Sequence, residues 1–379
     1  MDHAIVPFKV AISDEQLSDL ADRLGRTRWP EAEPVDDWSQ GVPLRYLQDL
    51  CAYWADGYDW RGREARLNSF AQYKTSIDSL GVHFVHVRSE EEGALPLVLT
   101  HGWPGSVVEF LEVIGPLTNP VAHGGEAADA FHVVCPSLPG YGFSDKPTTT
   151  GWGVERIAQA WAELMARLGY DRYGAQGGDW GAGVTQALGL SDPAHVAGIH
   201  LNMVTARPNA EDLADPTESE RAALESLKHY SDWDSGYSKQ QSTRPQTLGY
   251  ALVDSPAGQC GWILEKLWSW SDTDGDPVTA LGADRILDNV MLYWLSGTGA
   301  SSGRLYWESF RRARTGVVEV PMGASIFPKE IFRASRRWAE RQYADIRQWH
   351  ELPIGGHFAA FEQPALFVEE VRSFFRLVR

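Results

Sequence analysis

Three side chains able to do chemistry together stand far apart in this chain: Asp179 in GGDWG, Glu330 in FPKE and His357 in GGHF. The first lies inside YGAQGGDWGAG, residues 173–183, where five glycines surround a single carboxylate. A surface turn needs one or two glycines, so something else constrains this segment. A strand passing into a helix with almost no loop would do so. Its apex residue is pushed into an uncommon backbone conformation and its side chain projects alone above the sheet. Gly177 and Gly181, two before and two after, would let strand and helix approach closely. A phosphate-binding turn fails on spacing, because its third glycine would fall at Gln186. A plain helix N-terminus capped by Asp179 is the competing reading.

Other residues weigh against a mere cap. A glycine-flanked apex of this kind is the nucleophile elbow of the α/β-hydrolase fold, with Asp179 where serine is usual. In that fold the nucleophile, acid and histidine follow one another along the chain, as 179, 330 and 357 do here. The loop HGWPGS, residues 101–106, follows the apolar run LPLVLT. In this position it would supply the Trp103 backbone N–H to an oxyanion hole, with the Trp180 N–H as second donor. A carboxylate is ionised at neutral pH and needs no base to activate it. It is a poor reagent for amides and suits a saturated carbon with a leaving group, such as an epoxide or an alkyl halide. An ester intermediate would then be open to water directed by His357, with Glu330 orienting the imidazole. An epoxide also needs its departing oxygen protonated, for which a tyrosine would serve; a halide does not.

The elements around these residues are consistent with the elbow. Residues 1–78 read as mostly helical, from SDEQLSDLADRLGRTRW onward, with Ser13 as N-cap. Over 79–205 strands and helices alternate: GVHFVHVRS, LPLVLTHG and FHVVCPSLPGYG as strands, GVERIAQAWAELMARLGY as an amphipathic helix, then YGAQGG, WGAGVTQALGL and VAGIHLNMV. This implies a mostly parallel sheet covered on both faces. Residues 206–312 break the rhythm with a helical, Trp- and Tyr-rich insertion, and 313–379 resume it. The expected architecture is an α/β-hydrolase core with a helical cap and an N-terminal helical segment.

Composition narrows the partners. A net charge of −17 disfavours nucleic acid and anionic membrane surfaces. Cys51, Cys135 and Cys260 form no CxxC pair, so a reducing cytoplasm fits. No signal peptide or membrane span is legible. His83 and His86 alternate on a strand and are poor joint metal ligands; His101 reads as ordering its loop. No metal and no cofactor are expected.

HGWPGS, GGDWG, LYW within SSGRLYWE, FPKE and GGHFAAFEQP resemble the bacterial branch of the microsomal-type epoxide hydrolases, and the resemblance covers essentially the whole chain. It implies Asp179 as nucleophile, His357 as base and Glu330 as charge-relay acid. It also implies an N-terminal segment wrapping core and cap, and two tyrosines that polarise the epoxide oxygen. These are placed at Tyr306 in SSGRLYWES and Tyr237 in SGYSKQQSTRP, with Tyr250 and Tyr293 as competitors for the second. Mammalian members begin with a membrane anchor that this chain lacks, so a soluble protein is expected. The resemblance suggests a homodimer, and the Trp and Tyr content favours a bulky or aromatic epoxide. Similar enzymes serve detoxification and bacterial antibiotic pathways, including enediyne biosynthesis; nothing in these residues selects between them. Haloalkane dehalogenation and ligand reception without catalysis are the competing functions on this fold.

Overall fold

The computed structural model of the chain describes residues 4–310 and 316–379. The boundary read at 312/313 falls outside the described residues. Among the described residues nine strands form one sheet: β1 (Val6–Phe8), β2 (Gln72–Ile77), β3 (Leu80–Val87), β4 (Leu95–Thr100), β5 (Phe131–Pro136), β6 (Tyr173–Gly177), β7 (Val196–Leu201), β8 (Met322–Ile326) and β9 (Ile346–Glu351). Their order is β1-β2-β3-β5-β4-β6-β7-β8-β9. From β5 to β9 every pairing is parallel; β1, β2 and β3 join antiparallel at one edge. This is the α/β-hydrolase fold. Strands β6, β7 and β8 are buried along their whole length, as expected of parallel strands covered on both faces.

The first 78 residues differ from the helical reading. They hold helices Asp14–Gly25, Leu44–Asp56 and Trp60–Leu67, but also β1 and β2. Strand β2 gives no clear signal because polar Gln72 and Thr75 are buried on its two faces, which breaks the apolar alternation that marks a strand. Gln72 is satisfied inside: its Nε2 donates to the Leu67 carbonyl at 2.7 Å, and its Oε1 lies 2.9 Å from His83 Nε2. His86, three residues on, contacts the Tyr170 hydroxyl instead, so the two histidines face apart.

Between β7 and β8 the described residues carry helices only, from Ala210–Ala214 to Gly299–Ser309. The N-terminal helices are tied to this insertion by phenol–carboxylate contacts. Tyr46, Tyr53 and Tyr58 donate to Asp276, Asp284 and Asp288 at 2.6, 2.6 and 2.8 Å. Asp288, buried, also accepts from Arg63 Nε at 2.7 Å. Asp288→Ala would leave the half-buried Arg63 without its acceptor. A stability loss of about 3 kcal/mol is expected, read as a lower urea midpoint at unchanged slope. Among the described residues no helix is long and apolar enough to cross a membrane.

Candidate active site

Strand β6 runs through Gly178 straight into helix Asp179–Ser191. Asp179 has φ +48°, a conformation that costs a non-glycine residue about 1–3 kcal/mol and that collects at functional sites. Close packing enforces the turn. A Cβ on Gly177 would lie 2.2 Å from the Gly181 carbonyl oxygen, and one on Gly181 would lie 1.8 Å from the Thr100 oxygen. The helix N-cap is Gly178, not Asp179, so the capping alternative does not hold.

The Asp179 carboxylate instead faces two partners. The Trp103 backbone N–H donates to Oδ1 at 2.8 Å, and His357 Nε2 lies 3.3 Å from Oδ2. Trp180 lies in the helix's first turn, where backbone N–H groups have no intrahelical acceptor. The loop bearing Trp103 is held from both sides. His101 Nδ1 contacts the Gly102 carbonyl at 2.9 Å, while its Nε2 accepts from the Leu138 N–H at 3.2 Å. Burial lowers its pKa to about 4, so it orders the loop as a neutral ring. From the insertion, Asn289 donates to the Pro104 carbonyl and Tyr293 to the Gly105 carbonyl, each at 2.7 Å.

His357 sits between β9 and helix Ala359–Glu362. Its Nδ1 lies 2.7 Å from Glu330 Oε1, which also accepts from the Ile331 N–H at 2.7 Å. Glu330 and His357 are both buried. Burial alone would lower the pKa of the imidazole. The Glu330 charge, hydrogen bonding to Asp179 and Glu330, and the Asp179 charge outweigh it and hold the pKa well above its ordinary value.

The insertion brings two phenols close to these three side chains. Tyr237 stacks on Trp103, ring centroids 4.9 Å apart, and meets Tyr306 edge-on at 5.7 Å. Tyr306 packs edge-on against Trp180 at 4.7 Å. Burial first, then the negative charges nearby, push both phenols well above 10, so both keep their protons. The Tyr306 hydroxyl is buried without a well-formed hydrogen bond among the described residues, a costly state unless a ligand supplies the acceptor. Tyr237 shares a 3.0 Å contact with the Tyr230 hydroxyl. Of the competing tyrosines, Tyr250 is 68% exposed and Tyr293 is committed to the Gly105 carbonyl.

Sequence reasoning overlooked Tyr230, Glu109, Gln176 and Asn202, which the fold brings to this site. Glu109 and Gln176 had a signal, the first beside HGWPGS and the second within YGAQGGDWGAG. Among the described residues no group of three or more His, Cys, Asp or Glu side chains is disposed to hold a metal ion.

Fold and site together define an α/β-hydrolase with an aspartate at the apex between β6 and the helix that follows. Residues 5–110 match the epoxide hydrolase N terminus family and residues 96–251 the alpha/beta hydrolase fold family. A provisionally named epoxide hydrolase of Stigmatella aurantiaca is 57% identical over 99% of this chain and 86% of its own. Epoxide hydrolase 1 of Sus scrofa is 35% identical over 100% and 90%. The crystal structure of juvenile hormone epoxide hydrolase from Bombyx mori superposes with a TM-score of 0.91 at 32% identity, covering 100% of this chain and 96% of that one. The chain belongs to the microsomal-type epoxide hydrolases and is an enzyme of that activity.

Proposed function

We propose that Asp179 attacks a ring carbon of the epoxide, that Tyr237 and Tyr306 protonate the departing oxygen, and that His357 directs water at the resulting ester. One observation carries this reading: a carboxylate, an imidazole held by a second carboxylate, and two protonated phenols converge in one aromatic cleft. In the first step an Asp179 oxygen bonds to carbon as the ring C–O bond breaks, and the ring oxygen takes a phenolic proton. A serine would leave an ether here; the carboxylate leaves an ester that water can cleave.

Charge then sets the order of events. Before attack His357 carries a proton between two carboxylates. Ester formation removes the Asp179 charge, so the imidazole releases its proton more readily, and that proton restores the phenol. Neutral His357 then accepts a proton from water as the water oxygen adds to the ester carbonyl carbon. The oxyanion is received by the Trp103 and Trp180 backbone N–H groups, while Glu330 offsets the charge on the ring. Collapse expels the diol oxygen, which takes the proton from His357. The regenerated Asp179 carboxyl returns its own proton to His357, and every proton is accounted for.

The insertion acts as a cap that carries both phenols, and the N-terminal segment braces it against the core. Trp103, Trp180, Trp270 and the two tyrosines make walls suited to an epoxide with a bulky or aromatic substituent. Styrene oxide is therefore a suitable probe. With enzyme in excess in ¹⁸O-labelled water, the diol of the first turnover is expected to contain no ¹⁸O, its new oxygen coming from Asp179. Label in that first diol would reject the covalent step.

A further inference from the structure

We infer that Glu109 is a positioning residue for the hydrolytic water, which it holds in a small cavity beside Asp179 and His357. The inference rests on the two-step reaction proposed above and adds a residue to its second step.

The cavity measures ≈ 20 Å³ and is lined by Asp179, His357, Glu109, Gln176 and Asn202 on its polar side. That is room for about one water, and such a water needs two to four polar partners. Phe110, Phe358 and Phe367 close the other walls, so the polar groups alone set the orientation of a guest. Gln176 Nε2 is committed to Asn202 Oδ1 at 2.8 Å, while Gln176 Oε1 is buried without a hydrogen bond among the described residues. His357 Nε2 likewise has only the 3.3 Å contact to Asp179. Donor and acceptor sites thus face one water-sized space next to the carbon that water must reach.

Glu109 enters this space because residue 105 is glycine. A Cβ on Gly105 would lie 1.5 Å from Glu109 Oε1, so the carboxyl occupies the place of the missing side chain. Glu109 lies in the short 3-10 turn Val107–Phe110, directly after the loop that presents Trp103. It keeps some accessible surface although protein surrounds it. Burial raises its pKa to about 8, with His357 opposing and Asp179 adding to the rise. While His357 takes one proton of the water, Glu109 accepts a hydrogen bond from the other. This aims an oxygen lone pair at the ester carbon. No proton passes to Glu109, so the balance of the step is unchanged.

The two half-reactions separate this role from general damage. Alkylation by styrene oxide is read in stopped flow from the fluorescence of the tryptophans around Asp179; ester hydrolysis is read by single-turnover quench. Glu109→Met, which keeps the length of the side chain but removes the acceptor, is expected to slow hydrolysis about 10²-fold, the usual cost of a misplaced reactant, and to change alkylation by less than about threefold. Acid-quenched steady-state enzyme should then carry the mass of the epoxide. Gly105→Ala, whose new methyl group meets the Glu109 side chain first, should displace the carboxyl and give the same split in a chain with its glutamate intact. Equal slowing of both steps, or of neither, in the two variants would overturn the role given to Glu109. Failure of His357→Gln to form any adduct would instead overturn the covalent reaction on which it rests.

Discussion

His357→Gln enzyme mixed with styrene oxide is expected to stop after one chemical event, its intact mass raised by that of one epoxide. The adduct should map to the peptide that contains Asp179. Attack needs the Asp179 carboxylate and the phenols, all of which remain. Release needs a base 3.3 Å from the carboxylate, and glutamine cannot accept water's proton. Turnover should fall by roughly 10⁴–10⁶-fold, the range found when a member of such a triad is removed. Glutamine is close to imidazole in size and polarity, so the buried pair with Glu330 is replaced without opening a large cavity. An unmodified chain after long exposure to substrate would remove His357 from the hydrolytic step.

Tyr306→Phe tests the other half of the cycle. Its hydroxyl is buried without a well-formed hydrogen bond among the described residues, and deleting it leaves the ring packing on Trp103, Trp180 and Tyr237 in place. Alkylation is expected to slow about 10²-fold, roughly 3 kcal/mol of transition-state stabilisation. With Tyr237→Phe added, the loss should reach about 10⁴-fold. A haloalkane dehalogenase would barely register either change, because a halide leaves without a proton. Alkylation by the wild-type enzyme should also persist as pH rises through 10. Buried phenols beside negative charge hold their protons beyond that point, so the acid is not titrated away where an exposed tyrosine would be. A decline centred on the ordinary phenol value would assign the proton to another donor.

Where the chain allows only one residue type, the sequence could be read directly. The glycines around Asp179 are demanded by backbone atoms within 2.2 Å of the missing Cβ positions, and that demand shows in the sequence as a spacing. The apolar runs of β4 to β7 are equally legible, since strands covered on both faces tolerate little else. Strand β2 was not legible, because polar residues such as Gln72 are buried there against partners elsewhere in the fold, and β1 was not, because it is three residues long, contains a proline and is largely exposed. Nor could local pattern choose among Tyr237, Tyr250 and Tyr293. The choice rests on contacts between distant segments: Tyr237 on Trp103, and Tyr293 on the Gly105 carbonyl 188 residues away. Glu109 makes the same point, since the space its carboxyl fills exists only once the loop closes beside the elbow. Local steric necessity is written in the order of residues, whereas pairings across the chain arise from packing and become visible only in three dimensions.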